Sequence, residues 1–406
     1  MSAESLRIFP EFSTILARTA AAALSLAILF ALTIVATSAQ AQTYKVIHSF
    51  TDGADGANPQ SGLAIDAAGS LYGTTVAGGT GHLCSAPPGC GTIFRLTHAG
   101  SDWVTTPIYE FYGTSDGGHP ISPVAFAPDG TLYGTTYPGY GTLFRLTPPP
   151  TPPASTFGTW DMTVLHSFDG ANPLGELVFD ADGNVYGTTA FGGPYNYGTV
   201  YEWTGLNLVL IYSGQSYPDG QTPEGGVTLD SSGNLYGTFS AGGPYQSGMA
   251  FELSPSHQGW SIQNLAVFSG GYAPVSGLIF DPRGNLYGRR VGSIFELVHL
   301  NGYWNLTGVY DVGSNGPDRL VIDSAGNFYG AAYDNGDYGM GSVFRLTPSN
   351  GGWIYTSLHD FCPAPPGCSD GAQPLGSVVF DANGNLYGTA SSGGAYGYGV
   401  VWEITP

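Results

Sequence analysis

Three arginines stand out because basic residues are scarce: the chain carries 10 Lys and Arg against 30 Asp and Glu. Arg289 and Arg290 lie in "GNLYGRRVGSIFEL", where related segments have Thr-Thr. Arg319 lies in "GPDRLVID", where most related segments have a small or apolar residue. Guanidinium forks bind carboxylates well, so a cluster of the three would recognise an acidic group, such as a uronate or a partner's carboxylate. The plainer reading is that they neutralise Asp318 and nearby acids.

A second set is aromatic. The stretches "YPGYG", "FGGPYNYG", "AGGPYQSG", "YDNGDYGMG" and "GGAYGYG" carry Tyr137, Tyr140, Tyr195, Tyr197, Tyr245, Tyr333 and Tyr396. Aromatic faces among small polar residues suit stacking on sugar rings or on a polypeptide. Against this, several of the stretches are copies of one another, and the same rings could pack neighbouring repeats.

Other reactive residues read as structural. His48, His166 and His359 occupy one position in "VIHSF", "VLHSF" and "SLHDF". A tuned acid or base is wanted once, so three equivalents point to packing. Asp55, Asp116, Asp169, Asp219 and Asp370 each begin "DGxxP". Such aspartates could bind Ca²⁺ through oxygen ligands, but a turn-capping Asp beside a Pro is the simpler account. No cofactor is otherwise expected. No H-E-x-x-H or P-loop occurs. His119 and Asp116, with the arginines, are the irregular residues an enzyme would have to use.

These residues need a scaffold, and composition indicates which. With 63 Gly, 29 Pro, 26 Tyr and 10% charged residues, the chain is punctuated into short segments, as in an all-β repeat protein. "GSLYGT", "GTLYGT", "GNVYGT", "GNLYGT", "GNLYGR", "GNFYGA" and "GNLYGT" place equivalent tyrosines at Tyr72, Tyr133, Tyr186, Tyr236, Tyr287, Tyr329 and Tyr387. Each unit has four strand-like segments, as a β-propeller blade requires. After an N-terminal leader the chain begins with a fourth-type segment, "YKVIHSF", and it finishes on a third-type one, "GVVWEIT". The expectation is therefore an all-β, seven-bladed β-propeller with four antiparallel strands per blade, closed by an N-terminal strand completing the last blade. The "DxxG" connections fit type I turns on one face. The other face then carries the loops between second and third strands and those between blades.

Residues 1–41 read as a signal peptide: Arg7 and Arg18 precede the apolar run Ala20 to Ala36, and cleavage is expected after Ala41. Residues 42–406 form the propeller. It has no second apolar run, so a soluble monomer is expected, secreted, periplasmic or at the cell surface. "CSAPPGC" and "CPAPPGC" each hold a Pro-Pro-Gly turn, which predicts local disulfides Cys84–Cys90 and Cys362–Cys368. No nearby Cys/His pair completes a zinc set. The formal net charge of −20 repels nucleic-acid phosphates, so nucleic-acid binding is set aside.

The run "F-D-x-x-G-N-L-Y-G-T-T … G-G … G-T-V-F-x-L-T-P" resembles the GloVer tandem-repeat family of exported bacterial proteins, over essentially all of residues 44–406. The resemblance implies export and repeat architecture but no reaction. Family members carry varied C-terminal anchors; none is visible here, so permanent attachment is not expected. The resulting expectation is an exported binding or surface-interaction module, its ligand a carbohydrate or an extracellular protein. The alternatives are a lyase or hydrolase on acidic polysaccharide, and a purely structural envelope protein.

Overall fold

The computed structural model describes residues 42–406, apart from 82, 85–88, 114, 138–139, 150–159, 216, 314–318 and 365–366. The predicted signal peptide and Asp318 lie outside the described residues. Tyr44–Thr405 form one compact unit, and no described helix is long and apolar enough to cross a membrane.

Each repeat folds as one four-stranded antiparallel sheet, and the third repeat shows why. Its strands are Val178–Phe179, Val185–Thr189, Thr199–Trp203 and Leu208–Ser213. Between the first two, Asp180 accepts hydrogen bonds from the backbone N–H groups of Asp182 and Asn184. Gly183 takes φ +84° and donates to the Asp180 carbonyl, closing the turn. The Asn184 side chain and the Tyr186 hydroxyl donate to the same carboxylate at 2.8 and 3.0 Å. The motif tyrosine is thus a clamp on its own turn.

Steric fit fixes the glycine that follows it. A Cβ on Gly388 would stand 2.3 Å from the Trp402 ring, and one on Gly288 would stand 2.7 Å from Phe295. The third-strand aromatic lies over this backbone and leaves no room for a side chain. The motif tyrosine itself packs edge-on against the next blade, as in Tyr72–Phe126 at 5.0 Å and Tyr329–Phe380 at 4.9 Å.

Every interface between adjacent blades has its own apolar cluster. One joins Ile294 of blade 5 to Phe328 and Phe344 of blade 6. Another joins Phe50, Tyr387 and Val401 of blade 7 to Leu71 and Phe94 of blade 1. That second cluster closes the ring. The seventh sheet runs Thr43–Ser49, Val400–Thr405, Leu386–Ala390, Val379–Phe380, with the N-terminal strand outermost. Closure leaves no blade without a neighbour on either side.

Both predicted disulfides are present, Cys84–Cys90 and Cys362–Cys368. Bridged thiols fit an oxidising, extracytoplasmic setting.

Candidate ligand-binding face

The residue just before each inner strand sits at the mouth of the central channel. In chain order this position holds Gly62, Pro123, Glu176, Gly226, Gly277, Arg319 and Ser377. Two opposite charges therefore occur at one repeat position, three blades apart. Arg319 Nη1 donates to Glu176 Oε2 at 2.9 Å across the channel, and Ser377 Oγ donates to Glu176 Oε1 at 2.9 Å. Arg319 Nη2 reaches Thr228 Oγ1 at 2.7 Å and the Leu278 carbonyl at 3.2 Å. Five blades are tied together by this network, which divides the channel. Above it lies a cavity of about 230 Å³ bordered by Gln60, Glu176, Glu224 and Arg319. Below it a second space, about 330 Å³, is walled mainly by Leu63, Val124, Leu177, Ile279, Leu320 and Val378.

The other two arginines have separate partners. In five of the other six repeats the first residue after "YG" is a threonine, and four of these donate to a next-blade carbonyl, as Thr238 does to Ser276 and Thr389 to Ser61. Arg289 occupies that place fully buried, and its Nη1 donates to the Ala331 carbonyl of the next blade at 2.9 Å. The second residue is commonly a threonine paired with a third-strand hydroxyl, as in Thr75–Thr92 and Thr189–Thr199. Arg290 makes the equivalent bond through Nε to Ser293 Oγ at 2.9 Å. Its guanidinium lies 5.3 Å from the centre of the Tyr272 ring. The "RR" copy keeps both hydrogen bonds with longer side chains. Arg319 is one blade away and engaged by Glu176, so the structure does not gather the three into one fork.

Four of the five turn aspartates are also occupied. Asp55 meets His48 Nε2 at 3.1 Å, and Asp370 meets His359 Nε2 at 2.9 Å. Asp116 accepts from the Tyr109 hydroxyl at 3.0 Å, while Asp219 accepts from the Tyr212 hydroxyl. Each of these aspartates also caps a backbone N–H, those of Thr51, Cys362, Tyr112 and Gln215. The outer strand of one blade is thereby latched to the loop entering the next. Burial lowers the His48 and His359 imidazoles, partly offset by their aspartates. Burial also raises the Tyr109 and Tyr212 phenols, with the facing carboxylates adding to it. His166, in the equivalent strand position, is lowered by burial too. His119 is buried with φ +49° and donates through Nδ1 to the Val76 carbonyl at 2.7 Å. Among the described residues no group of three or more His, Cys, Asp or Glu is placed to hold a metal.

The tyrosines divide by exposure. Tyr195, Tyr245 and Tyr396 are 57%, 65% and 62% exposed. Tyr137, Tyr197 and Tyr333 are half-buried against the loops that carry them. Tyr140 begins the third strand of blade 2, and its side chain lies outside the described residues. Tyr112, Phe191, Tyr217, Tyr272, Tyr338 and Tyr398 are exposed as well and join this set. All nine exposed rings lie in second-to-third-strand or blade-to-blade connections, so they share one face. Among the described residues, Tyr303 is the one aromatic exposed on a hairpin of the opposite face. The sequence carried the signal, since most of these rings lie in Gly-rich connections. Glu176 was missed although it shares Arg319's repeat position; comparing that column across all seven copies would have found it.

Fold and closure define a seven-bladed β-propeller with disulfide-pinned loops. A repeat model matches residues 33–169, 85–292 and 289–406, and the chain belongs to the Gloeobacter/Verrucomicrobia repeat family. Its fold is similar to virginiamycin B lyase from Staphylococcus aureus, with TM-score 0.59 and 12% identity over 90% of this chain and 99% of that one. A catalytically inactive variant of that lyase with quinupristin matches at TM-score 0.59 and 13% identity, again over 90% and 99% of the two chains. The extracellular domain assigned to the hybrid two component system BT4673 from B. thetaiotaomicron matches at TM-score 0.57 and 11% identity, over 89% of this chain and 39% of that one. Identities this low carry the fold alone. A comparison with curated protein sequences finds no match.

Proposed function

We propose that this chain is an exported binding module that holds carbohydrate on its tyrosine-rich face. The one-sided distribution of exposed rings carries this reading. Nine exposed aromatics on one face against one on the other is more than scattered surface hydrophobicity accounts for. Each is accompanied by glycines or small polar residues, an arrangement that leaves the flat of the ring open to a sugar. The phenol at the ring's edge hydrogen-bonds to hydroxyls in the same encounter. A neutral glycan fits better than an acidic one, because Arg289 and Arg319 already serve protein oxygens. The disulfides and the family's repeat architecture agree with a role outside the cytoplasm.

The test is retention on a polysaccharide panel by the chain purified after export from an expression host. Tyr195→Ala with Tyr245→Ala should weaken retention of the bound polymer by about thirtyfold, taking stacking at roughly 1 kcal/mol per ring. Undiminished retention in that variant, with the fold intact, rejects the reading. Release of unsaturated or reducing ends from any polymer would replace it with the carbohydrate-active enzyme.

A further inference from the structure

The cavity above the Arg319–Glu176 pair has the composition of a small, specific pocket. Its walls are Ile121, Leu174, Val275 and Leu375 with glycine backbone between them, and its polar groups come from different blades. Both carboxylate oxygens of Glu176 and both Nη atoms of Arg319 already have protein partners: one another, Ser377, Thr228 and Leu278. Two others are still available. Gln60, entering blade 1, makes no side-chain hydrogen bond among the described residues. Glu224, entering blade 4, stands three blades away around a seven-blade ring, and so nearly opposite. Burial raises the Glu224 carboxyl from its ordinary value, and the Ser240 hydroxyl partly opposes this. Its oxygens accept from hydroxyls, and the Gln60 amide both donates and accepts. An amide and such a carboxyl on facing walls, with apolar surface between, match the alternating hydroxyls and C–H faces of a pyranose. A cavity of about 230 Å³ has room for a sugar ring.

We infer that this neck cavity binds a single neutral sugar ring between Gln60 and Glu224, so that a glycan crossing the aromatic face is held by its end. The inference rests on the carbohydrate reading of that face but uses different residues. It makes the protein a reader of chain termini. An internal sugar of a polymer, substituted on both sides, does not enter a neck closed below by Arg319 and Glu176.

The test titrates the purified exported chain with glucose, galactose, mannose, xylose and N-acetylglucosamine, with glucuronate as an acidic comparator, by saturation-transfer NMR and calorimetry. At least one neutral sugar should bind. Its affinity should fall roughly three- to tenfold in Gln60→Ala and in Glu224→Ala, as expected for loss of one hydrogen bond each, and persist in Glu224→Gln. Glucuronate should bind more weakly. The inference is overturned if no monosaccharide binds, if both alanine variants bind as wild type does, or if glucuronate binds as tightly as the neutral sugar. A crystal soaked with the bound sugar needs no substitution: density in the neck supports the site, and density only elsewhere refutes it. Polymer retention by the Tyr195→Ala, Tyr245→Ala variant reports on the rim separately. Loss there with unchanged monosaccharide binding, or the reverse, tells the two readings apart.

Discussion

Arg319 of blade 6 reaches Glu176 of blade 3 across the channel mouth at 2.9 Å, although 143 residues separate them in the chain. No other repeat supplies a charge at this position. The pair therefore acts as a brace across the ring at its widest separation of blades.

Removing one member of the brace should cost more than removing both. Both side chains are about a quarter exposed, so the lone charge left by Arg319→Ala or Glu176→Ala is partly solvated, and a loss of about 1–2 kcal/mol is expected. Exchanging them, Glu176→Arg with Arg319→Glu, should recover part of that loss. Urea unfolding of the four proteins gives the coupling directly, and strictly additive losses would show that the brace is idle.

Gly388→Ala should destabilise by roughly 1–3 kcal/mol, because the new methyl meets the Trp402 ring and the blade must shift to admit it. Gly351 has open space around its Cα and an ordinary φ, so Gly351→Ala should lie within about 0.5 kcal/mol of wild type. Adding Trp402→Leu should relieve part of the Gly388→Ala strain. Thermal melts of the three variants measure this, and equal cost at both glycines would contradict the steric account of the repeated "YG".

Acid should loosen the latches between outer strands and the following loops. The folded-state pKa values of His48 and His359 are lowered by burial, so as pH falls the unfolded chain takes up protons first, near the ordinary histidine value of about 6.5. Stability present above that pH is then progressively lost as pH drops through and below it. The melting temperature should fall between about pH 7.5 and pH 5.5, and His48→Gln with His359→Gln should flatten the curve. A melting temperature that rises on acidification in wild type, and not in the variant, would mean that Asp55 and Asp370 outweigh burial.

Much of this molecule was readable as a string because a propeller is built from local hairpins. The Asp180-to-Gly183 turn, the Tyr186 clamp and the glycine beneath Tyr201 all act within about 25 residues of one another, and their equivalents recur in six of the seven units. Counting copies gave the number of blades, and the fourth-type segment at Tyr44–Phe50 predicted how the ring closes. Both cysteine brackets were legible for the same reason, since each spans a single short loop. The arginines were not. Their sequence neighbours suggested one shared site, yet the partner of each belongs to a different part of the ring.

Sequence by itself determined the repeat, the hairpin order within a blade and the crowding of tyrosines into one set of loops, since all of these follow from residues close along the chain. Only the closed ring decided which tyrosines face solvent, that Arg289 is buried as an inter-blade tie, and that Glu176 and Arg319 meet. Those outcomes depend on contacts between blades. Closure brings distant copies of one repeat position to a common axis, and a single hairpin carries no information about what stands opposite it.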